Sequence, residues 1–365
     1  MSTDQSSNLN IAIRVDASHD IGVGHFMRCL TLADALRSRG ARVRFVCRHL
    51  PGHLRDLVAS NGHELRMMDE SAKTEAIDEL SQSRLLGTSQ RHDAAETLGL
   101  LSDARWDWIV VDHYGIDARW ESVVRSVTKK LMVIDDTADR MHDCDLLLDQ
   151  NLYSNMDTRY VGKVPAGCKT LLGPRFALLR DEFRKWRTKT RPRTGPVKRV
   201  LVFIGGMDAN NYMGSAIDAL VKIGDRALGV DVVIGPQHTH REQIETTCSE
   251  NQFVCHVHSN RMAELMAAAD LGIGAGGSAS WERCCLGLPS VVVSLASNQI
   301  EIASALDTVG ACQYIGSIGA ANSAVMHRAI LEMLRSRDRL QTMSTKAFAL
   351  VDGLGADRLC EAMGF

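Results

Sequence analysis

A chain of 365 residues is too long for one ordinary hydrophobic core and suits two domains. With 45% hydrophobic residues, 24% charged residues and a net charge of −2, it has a globular balance and lacks the basic excess of a nucleic-acid binder. No apolar run reaches membrane-spanning length, the polar start MSTDQSSNLN does not read as a signal peptide, and ten cysteines without a C-x-x-C pair fit a reducing cytoplasm.

The first half alternates strand and helix. Ile11–Val15 predicts a strand, and Phe26–Arg37 a helix with apolar residues at Met27, Leu30, Ala33 and Leu36. Val43–Cys47, His63–Met68, Trp108–Asp112, Leu131–Asp135 and Leu146–Leu148 predict further strands. His53–Asn61 and Ala118–Val127 predict helices, and Ser71–Ser102 one or two covering helices. Arg184–Lys198, RKWRTKTRPRTGPVK, is basic and broken by two prolines and a glycine, and reads as a linker. The alternation then restarts at Arg199–Ile204 and runs to the helix Ala321–Arg335. Buried β-branched strands separated by helices imply parallel sheets covered on both faces. The expected fold is α/β: two Rossmann-like domains with parallel sheets facing a cleft. The expected boundaries are 1–185, a 186–198 linker, 199–350 and a terminal segment 351–365. In such sheets ligands sit at the carboxyl ends of strands.

Glycine loops mark those strand ends. Gly22-Val23-Gly24 opens the first helix, but Met27 occupies the third glycine position of a dinucleotide fingerprint, and Arg48-His49 stand where an acid belongs, so a nicotinamide or flavin is not expected. His25 stands at the helix mouth, where the dipole disfavours an imidazolium; it is either a neutral base or a polar residue near the cap bonded to Asp16 or Ser18. In the second half, Gly274-Ala275-Gly276-Gly277-Ser278 leads from strand to helix, and the amides of Gly276, Gly277 and Ser278 could cradle a diphosphate. Glu282, one turn on, could accept from ribose hydroxyls or simply complement the helix dipole. Asn298 and Gln299 open another helix, as ligand contacts or caps. Val111-Asp112-His113-Tyr114-Gly115 and Asp135-Asp136 gather polar groups at two further strand ends. Cys255-His256-Val257-His258 alternates across a strand and does not suggest a metal site.

The segments RVDASHDIGVGHFMRCLTLA, VDHYGID, IDD, LDQN, FALLRDEF, IGGMD, GAGGSASWE and NQ, in that order, resemble the UDP-2,4-diacetamido-2,4,6-trideoxy-β-L-altropyranose hydrolases of pseudaminic acid biosynthesis. More broadly they are similar to glycosyltransferases with two Rossmann domains (GT-B). The resemblance spans about Ile11 to Glu301. It implies a cytoplasmic, metal- and cofactor-free enzyme acting on a UDP-sugar and water, releasing UDP with inversion at the anomeric carbon. It also implies that the terminal segment is a helix crossing back onto the first domain. His25 matches the catalytic histidine, Gly24 and Arg28 its loop, and Asp112, His113 and Tyr114 the strand-end cluster. Gly206 and Asp208 match the glycine turn of the nucleotide domain, Ser278 and Glu282 the uridine-diphosphate loop, and Asn298 and Gln299 the polar pair. On this reading His25, Asp112 and Tyr114 are catalytic, and Asp16, Gly24, Arg28, His113, Gly206, Asp208, Gly276, Gly277, Ser278, Glu282, Asn298 and Gln299 bind substrate.

Overall fold

The computed structural model describes residues 9–18, 20–70, 80, 82–205, 208, 210–317 and 319–365. Its chain divides into two compact units. One takes the chain up to Asn151 together with Asn155–Leu178 and Gly355–Phe365; the other takes Leu152–Ser154 and Leu179–Leu354.

The first unit comprises β1 (Asn10–Val15), α1 (Gly24–Arg37), β2 (Arg42–Cys47), α2 (Gly52–Ser60), β3 (Glu64–Met67), α3 (Gln90–Leu101), β4 (Trp106–Asp112), α4 (Ala118–Val124), β5 (Thr128–Ile134), β6 (Leu146–Asp149) and β7 (Lys169–Leu172). Among the described residues the strands form one parallel sheet in the order β3-β2-β1-β4-β5-β6-β7. Side chains alternate between two cores. Ile11, Ile13 and Val15 pack with Phe26, Phe45 and Val110 on one face, while Ala12, Ile109 and Val111 pack with Trp120 and Val133 on the other. The strand order reverses between β1 and β4, so their carboxyl ends form the switch point where α/β sheets take ligands. Of the expected covering segment, residues 71–79 and 81 lie outside the described residues; the remainder is a 3-10 turn at Ser83–Leu86 and α3. β7, KTLL, is a short edge strand with exposed Lys169 and Thr170 and too few apolar residues to announce itself.

The second unit comprises α5 (Asp181–Arg187), β8 (Arg199–Phe203), α6 (Tyr212–Ile223), β9 (Gly229–Ile234), α7 (Arg241–Glu250), β10 (Val254–Val257), α8 (Met262–Ala268), β11 (Leu271–Ala275), α9 (Ala279–Cys285), β12 (Ser290–Ser294), α10 (Asn298–Thr308), β13 (Gln313–Ser317), α11 (Ser323–Arg335) and α12 (Arg337–Leu350). Its parallel order is β10-β9-β8-β11-β12-β13, with the switch between β8 and β11. Val200, Val202, Val232, Ile273 and Val291 fill the core beneath α6 and α11.

The 186–198 stretch is packed into this unit instead of forming a free linker. The amide of Arg193 donates to Ser344 Oγ at 2.7 Å, and its buried guanidinium donates to the carbonyls of Met266 (2.8 Å) and Ala269 (3.0 Å) at the end of α8. Basic side chains that suggest a solvated connection here satisfy the orphan carbonyls of a helix end. The last helix, α13 (Gly355–Met363), belongs to the first unit, where Leu359, Cys360 and Met363 enter its core. Gly355 allows this approach: a Cβ there would lie 2.2 Å from the Ala177 carbonyl oxygen. Among the described residues no helix is long and apolar enough to cross a membrane.

Candidate active site

The loop after β1 turns on Gly22, whose φ of +79° lies in the left-handed region that favours glycine. The Gly22 amide donates to the Ser18 carbonyl at 2.9 Å and the Ile21 amide to Ser18 Oγ at 3.2 Å. Ser18 is therefore used in shaping the turn. α1 starts at Gly24, so His25 and Arg28 lie three residues apart on one helix face. Both side chains meet Asp112, the last residue of β4.

His25 Nδ1 lies 2.6 Å from Asp112 Oδ1. Because a carboxylate only accepts, Nδ1 presents a hydrogen to Asp112, and Arg28 Nη2 lies 3.0 Å from the same nitrogen. Arg28 grips the same carboxylate, Nε donating to Oδ2 at 2.6 Å and Nη2 to Oδ1 at 2.7 Å. Asp112 is 1% exposed and His25 9%. Burial opposes ionisation of Asp112, but Arg28 and His25 outweigh it and hold the carboxyl well below the usual range. The Tyr114 ring stands edge-on to the His25 imidazole, with centroids 4.6 Å apart. Burial and the neighbouring Asp136 push the Tyr114 phenol up, so it remains a donor.

Asp136 is the residue that sequence reasoning placed at a strand end without a role. Its Oδ1 accepts from Tyr114 OH at 2.7 Å and its Oδ2 from Arg28 Nη1 at 3.0 Å. A continuous chain of contacts thus runs His25–Asp112–Arg28–Asp136–Tyr114.

Asp16 and His113, expected at the substrate, are instead part of the scaffold. Asp16 is fully buried; its carboxylate takes a bidentate pair from Arg14 (2.7 and 3.0 Å) and the Arg48 amide (2.7 Å). Arg14 and Arg48 also share Asp93, whose Oδ1 accepts from Trp120 Nε1 at 2.9 Å. His113 is buried, with Nδ1 accepting the Gly115 amide at 3.0 Å and Nε2 3.4 Å from Asp16 Oδ2. Buried charges persist only when paired in this way. The orienting partner of His25 is therefore Asp112, and neither Asp16 nor Ser18.

In the second unit the loop from β11 to α9 brings Gly276, Gly277, Ser278 and Glu282 together. Gly276 is not available to a ligand: its amide donates to the Val293 carbonyl at 2.9 Å, and a Cβ there would lie 3.2 Å from Ala303 Cβ. Its glycine is needed for the close approach of α10. Among the described residues no acceptor takes the amides of Gly277 and Ser278, and Ser278 is exposed. Glu282 is partly exposed, with Oε1 3.4 Å from Arg180 Nη2; burial pushes its carboxyl up while Arg180 opposes. Arg180, at the start of α5, is the arginine of the FALLRDEF segment, which the sequence reading gave no role.

Gln299 Oε1 accepts the Leu295 amide at 2.9 Å, so its oxygen closes the β12–α10 turn, while Asn298 is exposed and makes no cap. Asp208 is likewise structural, because its buried carboxylate accepts the amides of Tyr212 (2.9 Å) and Met213 (2.6 Å) at the start of α6. Gly206 lies outside the described residues. His256 Nε2 pairs with Asp231 Oδ1 at 2.8 Å across β9 and β10, an ordinary strand contact.

Comparison with known proteins follows the same outline. Residues 199–359 match the glycosyltransferase family 28 C-terminal domain. Across 98% of the chain the fold matches the MurG structure of Acinetobacter baumannii (TM-score 0.66, 14% identity, 99% of that chain). It likewise matches, across 97%, the spinosyn rhamnosyltransferase SpnG complexed with thymidine diphosphate (TM-score 0.65, 15% identity, all of that chain). The fold is thus that of the two-Rossmann-domain GT-B class.

Among sequences, the chain is 28% identical over 204 residues to the UDP-2,4-diacetamido-2,4,6-trideoxy-β-L-altropyranose hydrolase of Campylobacter jejuni, covering 56% of this chain and 62% of that one. It is 21% identical over 311 residues to the spore coat polysaccharide biosynthesis protein SpsG of Bacillus subtilis, 84% of each. It is 23% identical over 294 residues to an uncharacterized protein of Methanocaldococcus jannaschii, 78% of this chain and 55% of that one. The chain therefore spans under two thirds of the archaeal and Campylobacter relatives.

Proposed function

We propose that this protein hydrolyses a UDP-sugar at the anomeric carbon, with UDP-2,4-diacetamido-2,4,6-trideoxy-β-L-altropyranose as substrate and pseudaminic acid biosynthesis as its setting. The observation that carries the reading is the His25–Asp112 bond of 2.6 Å, which leaves Nε2 as the basic nitrogen. The similarity to the Campylobacter hydrolase supports this choice of substrate.

His25 Nε2 takes a proton from water as the water oxygen bonds to C1. The C1–O bond breaks with inversion, and the electron pair leaves on the diphosphate. UDP carries that charge at neutral pH, so the second carboxylic acid of a typical glycosidase is not required. The imidazolium that forms is stabilised by the Asp112 carboxylate, and such a positioned base supplies about 100–10,000-fold in rate. Tyr114, held by Asp136, orients the sugar or the water, and Arg28 keeps Asp112 ionised. The amides of Gly277 and Ser278 take the diphosphate, and Glu282 accepts from the ribose.

A second reading, transfer of the sugar to an acceptor, is favoured by the family 28 match over residues 199–359. One experiment separates the two. The purified protein is incubated with a panel of UDP-linked 2,4-diacetamido and N-acetyl sugars, and free UDP is followed. Hydrolysis releases UDP without any acceptor. Release that depends on an added acceptor assigns transfer, and tight binding without turnover assigns a non-catalytic binder.

A further inference from the structure

The residues assigned to hydrolysis leave two hydrogen-bonded cysteine pairs unused, Cys248–Cys255 in the second unit and Cys144–Cys168 in the first, and the latter lies on the sheet that carries His25 and Asp112. Cys144 stands in the turn before β6 and Cys168 immediately before β7, with their sulfurs 3.6 Å apart. Both backbones are tied to the sheet: the Asp145 amide donates to the Leu131 carbonyl at 2.8 Å, and the Lys169 amide to the Asp145 carbonyl at 2.9 Å. The two thiols therefore stay close whatever the intervening segment does. Their exposure differs. Cys144 is 1% exposed, whereas Cys168 and Cys255 are the two cysteines of the ten that are not buried.

We propose that Cys144 and Cys168 form a reversible disulfide site for a peroxide-class oxidant, with Cys168 as the attacking sulfur and Cys144 as the resolving one. A hydrogen bond from Cys144 favours the Cys168 thiolate, while that bond and burial hold the proton on Cys144. The Cys168 thiolate attacks one peroxide oxygen; the O–O bond breaks, hydroxide leaves, and a sulfenic acid forms. The Cys144 sulfur then attacks the sulfenic sulfur, losing its proton as the S–O bond breaks and water leaves. Two thiols are oxidised to one disulfide, and one peroxide is reduced to two waters.

The link would close a ring around residues 145–167, which include Arg159 and Tyr160. Tyr160 OH lies 3.1 Å from Asp135 Oδ2 and 3.0 Å from Asp149 Oδ2, and Arg159 Nη2 donates to the Asp136 carbonyl at 2.8 Å. Oxidation therefore clasps the segment that lies against the backbone of Asp136, the partner of Tyr114.

The full chain is treated with a slight molar excess of hydrogen peroxide. Free thiols are then counted in denaturant, and non-reduced peptides are mapped by mass. The expected result is loss of two of the ten thiols, a Cys144–Cys168 linked peptide, and full recovery with dithiothreitol. Cys168→Ser and Cys144→Ser each abolish the link, and Cys255→Ser leaves it unchanged. The reduced-to-oxidised step raises the thermal midpoint of wild type by several degrees but not that of Cys168→Ser. Because Cys168 is only half-buried, its serine variant folds even if the Cys144 variant does not. The proposal is overturned if no thiols are lost, if the lost pair maps elsewhere, or if Cys168 runs on to sulfinic acid without linking.

Discussion

Asp112 Oδ1 lies 2.6 Å from His25 Nδ1, and the same carboxylate receives two donors from Arg28. A single buried carboxylate thereby sets the imidazole tautomer and is itself kept ionised. Asp112→Asn keeps the shape but can present its amide nitrogen to Nδ1, which favours the wrong tautomer. UDP release is expected to fall about 100–10,000-fold, as for His25→Asn, with the double variant no worse than either single one. Measured kcat values check this, with circular dichroism confirming the fold. A folded Asp112→Asn protein with near-wild-type kcat would remove the orienting role.

Asp208 offers the opposite expectation. Its carboxylate caps α6 through the amides of Tyr212 and Met213. Asp208→Ala should cost about 1 kcal/mol of stability and leave KM for the UDP-sugar unchanged. Chemical denaturation and steady-state kinetics together test it. A tenfold rise in KM with unaltered stability would return Asp208 to the ligand.

Glu282 keeps acceptor capacity because Arg180 reaches it only at 3.4 Å. Replacing a charged acceptor of a ribose hydroxyl costs about 1.5 kcal/mol, so Glu282→Gln should weaken UDP binding about tenfold by calorimetry while sparing kcat. Unchanged UDP affinity would assign Glu282 to the helix dipole alone.

Asp149 makes stability fall with rising pH. Burial, Asp136 and Asp135 push its carboxyl up to about 7, against the Asn151 amide and Arg159. The unfolded value is about 3.9, so the folded state holds the extra proton between these limits. The cost is absent below about pH 4, grows as pH rises, and levels off above pH 7 at about 4 kcal/mol. Asp149→Asn should therefore be more stable than wild type at pH 8, with the gap closing towards pH 4. Urea melts at the two pH values decide it; a gap that widens on acidification contradicts the sign.

Much of the fold is legible from the strand runs. Ile11–Val15 and Val43–Cys47 predict β1 and β2 to within a residue at their amino ends, because a strand buried on both faces is mostly apolar, here with one paired arginine in each, Arg14 and Arg44. Arg193 shows where such reading stops: its charge suggests solvent, yet it is buried against the carbonyls that end α8.

By itself the sequence determined the alternating α/β rhythm, the glycine turns at the strand ends, and the placing of His25 and Arg28 three apart at a helix mouth. All of these are encoded by local periodicity and backbone freedom. Only the tertiary structure decided which carboxylate faces His25. Asp112 is 87 residues away and is delivered by the pairing of β1 with β4, whereas Asp16, nine residues away, is turned inward by Arg14. The same holds for Asp136, which joins Arg28 to Tyr114 because β5 lies beside β4. Strand order in a parallel sheet is set by how helices pack across it, and no short window of sequence contains that information.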